Sequence, residues 1–309
     1  MTRRAAAGFI RLLPLLLIAA AAAILVAAAL LAACGGSSGG SSPEPTASVT
    51  VTAGPSQTPS GEASPSSSPS APPTTAVSLY FLRGEKLGVA ERRVERISMP
   101  ATAAVKALLA GPTPAEQHAG LGTAVPAGTR LLGLSIDGSV ASVDLSREFA
   151  GGGGGLSMTA RVAQVVYTLT RFPTVRAVEF LVDGDPVEAL GGEGVVLEVP
   201  QRRARYRDLE PAIFVEAPGA GAVISSPVTL EGTARVFEGS FLARLVDSSG
   251  RRVVQAVMQA SAGAPGRGRF TEQISFSTSA KRGTLIVFAQ SMEDGSRQDE
   301  VRIPVTFAD

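Results

Sequence analysis

Along the chain, the rhythm of apolar and polar positions changes several times, and each change predicts a different element. From Leu12 to Ala33 no charge interrupts 22 residues, and Arg3, Arg4 and Arg11 precede them. A basic start followed by a hydrophobic stretch is the pattern of an export signal. A run of 22 residues is also long enough to cross a bilayer of roughly 30 Å, so a retained anchor is the competing reading. Between Gly35 and Ala76 the residues are mostly Ser, Pro, Thr and Gly, with only Glu44 and Glu62 charged. Such a segment buries too little apolar surface to offset the entropy of ordering and is predicted to be a disordered tether. As a flexible coil it would hold the folded part of the chain on the order of 35 Å from its anchor point.

A folded rhythm begins at "AVSLYFL", Ala76 to Leu82, which predicts a strand, and "KLGVAERRV" predicts a second, partly exposed one. In "PATAAVKALLAGP", Pro100 suits a first helical position, Val105, Leu108 and Leu109 share a face, and Gly111-Pro112 ends the helix. Two alternating runs in "TRLLGLSIDGSVASVDLS" flank Asp137-Gly138, a pair suited to the positive φ angles of a tight hairpin. Five glycines, Gly151 to Gly155, lead into "LSMTARVAQVVYTLTRF", where Met158, Val162, Val165, Val166 and Leu169 recur at helical spacing. "VRAVEFLVDGDPV" returns to a strand and turns at Asp183-Gly184. These elements predict a mixed α/β (α+β) domain, one curved sheet with two main helices on one face. After "QRRARYRDLEP" the period becomes 2 throughout. Strands are expected at 212–216, 228–236, 240–247, 252–260, 269–276, 284–291 and 300–306, the spacing of an all-β sandwich.

The chain's single cysteine, Cys34, has no partner for an internal disulfide and makes no metal site alone. It closes "LAAC", where Leu31, Ala32 and Ala33 precede it, and this resembles the lipobox of bacterial lipoproteins. The resemblance implies acylation of the Cys34 thiol and cleavage just before it. Small residues admit the backbone to a peptidase, and a thiolate is a strong nucleophile. Several acyl chains would hold better than one, at about 0.8 kcal/mol per buried methylene.

"LYFL", "ALLAGPT", "AVPAGTRLLGLSIDGSVASVDLS", "RVAQVVYTLTRFPTV" and "VEFLVDG" occur in the order found in the GerMN domain, and residues 77–199 resemble that sporulation and germination module. "SPVTLEGTARVFEGSF", "ASAGAPGRGRF" and "VRIPV" resemble the immunoglobulin-like (Gmad-type) domain of bacterial spore germination that comes after such modules. The expected organisation is a signal peptide at 1–33, lipidated Cys34 with a linker to 76, a GerMN domain at 77–200, a basic linker at 201–210 and an immunoglobulin-like sandwich at 211–309. The resemblance implies a non-enzymatic, lipid-anchored envelope protein outside the cytoplasm, held by the membrane and binding an envelope protein or cell-wall polymer.

Charge and chemistry fit that picture. Removing the three signal arginines from 28 basic residues leaves 25 against 27 acidic ones, a net −2 that argues against nucleic acid. The one histidine, His118, has Glu116 nearby but no serine in a strained elbow, so it is read as a solvated surface residue. Aspartates cluster at turns, where their side chains bond backbone amides, and "DGD" lacks the remaining ligands of a calcium loop. No cofactor or metal is expected. An envelope hydrolase with paired acids and a small-solute receptor subunit are the alternative classes. Two places are candidate contacts for a partner or an anion. One is the glycine run, read first as a connector capped by Ser157, with Ser157 and Arg161 as contact residues in the second reading. The other is "QRRARYRDLE", read first as a solvated linker, with Arg202, Arg203, Arg205 and Arg207 as a basic patch in the second.

Overall fold

Strand β1 (Thr74–Arg83) and β2 (Lys86–Glu95) form an antiparallel hairpin in unbroken register. The computed structural model describes residues 73–96, 99–191 and 195–308, so Cys34, its lipobox and the linker lie outside the described residues. Helix α1 (Pro100–Leu109) starts on its proline and buries Ala101, Ala104, Val105 and Leu108. The short α2 (Pro114–His118) comes next, then β3 (Leu131–Asp137), β4 (Val140–Leu145) and the long α3 (Gly155–Leu169). β5 (Ala177–Val182) runs parallel to β4, and β6 (Asp185–Pro186) closes a four-stranded mixed sheet of order β3-β4-β5-β6. Two small strands, β7 (Ala189–Leu190) and β8 (Val195–Val196), pair with each other.

From Ala160 to Leu169 every residue of α3 is buried, as expected of a helix with no solvent face. It packs against β1, α1 and β5. Its polar residues complete the free edge of β1. Thr168 Oγ1 accepts from the Tyr80 amide at 3.1 Å, and Gln164 Nε2 donates to the Tyr80 carbonyl at 3.1 Å. Buried backbone groups need such partners where no strand supplies them.

The positive-φ pair of a tight hairpin occurs at Asp183 (φ 51°) and Gly184 (φ 89°), between β5 and β6. At the β3–β4 hairpin the expectation shifts by one residue. Asp137 pairs with Val140, so the turn is Gly138-Ser139, and Gly138 alone takes the positive φ.

The second half is a sandwich of β9 (Ile213–Ala217), β10 (Val223–Ile224), β11 (Val228–Ala234), β12 (Ser240–Asp247), β13 (Arg252–Gln259), β14 (Gly268–Ile274), β15 (Arg282–Gln290) and β16 (Arg297–Phe307). Its sheets have orders β10-β16-β15-β12-β13 and β14-β11-β9. Strict alternation along β11 and β12 sends Leu230, Phe241, Ala243 and Leu245 inward, where Phe241 meets Phe270 edge-on. The two halves touch through backbone. Glu91 donates to the Ala220 carbonyl at 2.9 Å, and Ala220 donates to Val89 at 2.8 Å. Gly219 permits this approach, because a Cβ there would lie 2.9 Å from the Ala90 carbonyl carbon.

Glu116 fastens α2 to β2. Its carboxylate takes two bonds from Arg92, at 2.8 and 2.5 Å, and one from the Thr113 amide at 2.7 Å. It is also the third member of a capping box with Thr113. Burial pushes this carboxyl up, but the Arg92 and Thr113 bonds together outweigh it and hold the group below its ordinary 4.5. A carboxyl lower in the folded chain stabilises fully above the unfolded value and loses that contribution as pH falls through the folded one. Urea midpoints should therefore fall below about pH 4.5, and Glu116→Gln should flatten that acid slope.

Candidate functional site

The 3₁₀ turn Arg203–Leu209 joins the two halves, and it is not the solvated linker expected of "QRRARYRDLE". Gln201, Tyr206 and Leu209 are buried, and Gln201 pairs with Val178 of β5 through backbone. The Tyr206 hydroxyl donates to Gln201 Oε1 at 2.6 Å, so these two polar side chains face inward.

Arg203 is its centre. Nη1 donates to Glu216 Oε1 at 2.5 Å, and Nη2 donates to the Tyr80 hydroxyl at 3.1 Å and the Tyr167 carbonyl at 3.0 Å. Nε donates to Thr170 Oγ1 at 2.7 Å. The guanidinium lies 4.6 Å from the Tyr167 ring centroid and 5.1 Å from that of Tyr80, within cation–π range. Tyr80, Tyr167 and Phe214 pack mutually with centroids 5.4 to 6.1 Å apart. The Tyr167 carbonyl belongs to the last turn of α3, where the helix carries partial negative charge, so a cation is well placed. One side chain thus binds β1, the end of α3 and β9.

A second pair extends the junction. Arg267 Nε lies 3.2 Å from Glu210 Oε2, and the Tyr167 hydroxyl donates to Glu210 Oε1 at 2.6 Å. Burial is the main cause that raises the Tyr80 and Tyr167 hydroxyls well above the ordinary phenol value, so both remain donors.

Beside these pairs a groove of about 420 Å³ opens between the halves. One side is the outward face of β11 and β14, where Thr233 lies opposite Arg269 and Glu231 opposite Thr271. The other side is Thr170 and Arg171 after α3, with Arg203 and Arg207 of the junction turn. Its carboxylates are matched: Glu216 to Arg203, Glu210 to Arg267, and Glu231 to Arg171 at 3.4 Å. Arg207 and Arg269 also line the groove, and among the described residues neither side chain has an ion pair or hydrogen bond. Burial pushes Arg267 down, Glu210 opposes this, and Arg235 and Arg207 add like-charge repulsion. The groove carries surplus positive charge.

The structure divides the residues singled out in the sequence. Arg202 and Arg205 are exposed and lie outside the groove, Arg207 lines it, and Arg203 is drawn into the junction. Arg161 is corrected from a contact residue to a core residue: it is 2% exposed, and its guanidinium donates to the carbonyls of Phe149, Gly151 and Gly152 at 2.7 to 2.8 Å. Ser157 does not cap α3. The helix begins at Gly155 with Gly154 in the cap position, and Ser157 Oγ instead accepts from Arg161 at 3.3 Å. His118 is exposed, with Nδ1 2.6 Å from the Pro114 carbonyl, while Glu116 is engaged with Arg92. Sequence reasoning overlooked Tyr80, Tyr167, Glu210, Glu216, Arg267 and Arg269. A signal existed for the tyrosines: the chain has only three, Tyr80, Tyr167 and Tyr206, and all are buried at this junction.

A mixed α/β domain joined to an immunoglobulin-like sandwich through a half-buried arginine junction defines the class. Residues 78–188 match the family Germane, described as sporulation and spore germination, and residues 212–296 match Gmad2, the immunoglobulin-like domain of bacterial spore germination. The chain carries these two domains in that order. A candidate lipoprotein from Clostridium perfringens aligns at 25% identity over 44% of this chain and 93% of its own, with a TM-score of 0.33. The tandem GerMN domains of the sporulation protein GerM from Bacillus subtilis align at 16% identity over 66% of this chain and 62% of theirs, TM-score 0.39. The first of those domains alone aligns at 19% over 42% of this chain and 99% of its own, TM-score 0.37. None of the curated proteins matches the chain.

The side chains of Arg203 and Glu216 are 27% and 16% exposed, between a surface pair and a buried one. Glu216→Ala should therefore cost about 2–3 kcal/mol, read from urea unfolding. With no tryptophan in the chain, near-UV circular dichroism reports mainly tyrosine, and its signal should weaken in the same variant.

Proposed function

We propose that this protein is a non-enzymatic binding scaffold of the bacterial cell envelope, related to sporulation and germination proteins and moored outside the cytoplasm through acylated Cys34. The observation that carries the reading is the junction. Arg203 binds both domains at once, so their outer faces and the groove are presented at a fixed geometry, as a binding platform requires. The chemistry of the described residues supports it. The one imidazole is turned to a backbone carbonyl rather than to a nucleophile or an acid.

Two measurements test it. Intact-mass analysis of the native protein should find Cys34 acylated at the amino terminus, and Cys34→Ala should abolish the acylated species and leave the apolar run of Leu12 to Ala33 uncleaved. Met1 present with an unmodified thiol would overturn the mooring. Crosslinking in the native cell and mass spectrometry of the products should recover envelope proteins or wall polymer, and exclusively cytoplasmic partners would overturn the scaffold.

A further inference from the structure

We propose that the junction groove is an anion site in which Arg207 and Arg269 clasp a phosphate group of a polyanionic strand. The inference deepens the scaffold reading by naming the chemistry of one ligand, and it rests on that reading for exposure to envelope polymers.

Charge comes first. Each carboxylate of the groove already holds a guanidinium, at 2.5, 3.2 and 3.4 Å, so none is left to neutralise Arg207 or Arg269. The two arise from different elements, one on the junction turn and one on β14, and line the same cavity. A carboxylate is satisfied by one guanidinium fork, whereas a phosphate presents oxygens on several sides and can take forks from both walls. Thr271 sits in the same lining, and its hydroxyl has no hydrogen bond among the described residues, so it is a further donor.

Shape selects the source. At about 420 Å³ the groove has room for a phosphate with part of the unit it links. It is concave and lies between two domains, so a strand can be threaded into it. A flat bilayer would meet protruding arginines first, and the exposed Arg202 and Arg205 lie outside the lining. The observations therefore favour a strand over lipid headgroups.

The test uses full-length protein in detergent micelles, titrated calorimetrically with inorganic phosphate and with linear polyphosphate. Both should bind, polyphosphate more tightly, and the affinity should fall as salt rises. Arg207→Ala and Arg269→Ala should each weaken polyphosphate binding by about tenfold, and the double variant by about a hundredfold. Neither side chain is bonded, so the urea midpoint of the double variant should match the parent. Arg202→Ala and Arg205→Ala should bind as the parent does. Equal binding by parent and double variant, or no saturable binding of polyphosphate, overturns the site. A parallel arm compares sedimentation with phosphatidylglycerol and phosphatidylcholine vesicles, in which the acyl anchor contributes equally. A preference for phosphatidylglycerol that depends on Arg207 and Arg269, without polyphosphate binding, overturns the strand assignment in favour of the membrane. None of these outcomes alters acylation at Cys34 or crosslinked partners, so the site and the scaffold reading can fail separately.

Discussion

Removing a guanidinium from water is costly, and a protein that does so must return most of its hydrogen bonds. Arg203 takes its acceptors from Glu216, Tyr80, the Tyr167 carbonyl and Thr170, and it rests against two aromatic rings. Those acceptors lie on β1, on the end of α3 and on β9, so the charge is satisfied only when both domains are in place. Arg161 meets that demand only at its two terminal nitrogens, and its buried Nε has no partner among the described residues. With no carboxylate beside it, Arg161 gathers the carbonyls of Phe149, Gly151 and Gly152, and burial lowers its affinity for its proton. Glycine is required there for a steric reason too, because Gly153 has φ +83° and a Cβ would lie 2.8 Å from the Arg161 guanidinium. One half-buried arginine joins the domains, and one fully buried arginine ties down a glycine-rich loop.

The groove results from how the junction is satisfied. The three-stranded sheet buries one face in the sandwich and leaves the other for α3 and the junction turn to approach. Phe214 of β9 reaches the aromatic cluster of Tyr80 and Tyr167, which brings the edge of that sheet against the α/β domain. Beyond this edge, β11 and β14 stay uncovered and present Glu231, Arg269 and Thr271. Each acid of the groove meets an arginine, Glu216 that of the junction, Glu231 that of the segment after α3 and Glu210 that just before β14. Positive charge is left over because the arginines outnumber the acids, an outcome of sequence rather than of geometry.

Much of the fold was legible because its signals are local. Alternation places every main strand of the sandwich within a few residues of its position, and the proline at the start of α1 and the Asp183-Gly184 turn act where they stand. The junction was not legible. Arg203 looks like Arg202, Arg205 and Arg207, and what sets it apart is 13 residues away at Glu216 and 123 away at Tyr80. Composition describes such a stretch as solvated, and tertiary contacts decide otherwise. Arg161 carried a warning: it lies three residues after Met158 and four before Val165, on the apolar stripe of α3. A cation at that spacing has to be buried or to displace the packing. The hairpin turn at Gly138-Ser139 shows a finer limit, since the register of β3 with β4, and not the dipeptide, decides which residues turn.

A flexible connection between the domains would have been the simpler design, and the chain does not use it. Backbone bonds at Ala220, the Lys86 ammonium on the Asp208 carbonyl at 2.6 Å and the Arg203 cluster all cross the same seam. Ordering a loose joint costs free energy whenever a ligand spans it, and a joint ordered during folding removes that cost from binding. A groove whose two walls belong to different domains depends on this more than any single-domain site would. The half-buried arginine that holds the seam closed thereby also holds Arg207 and Arg269 on facing walls.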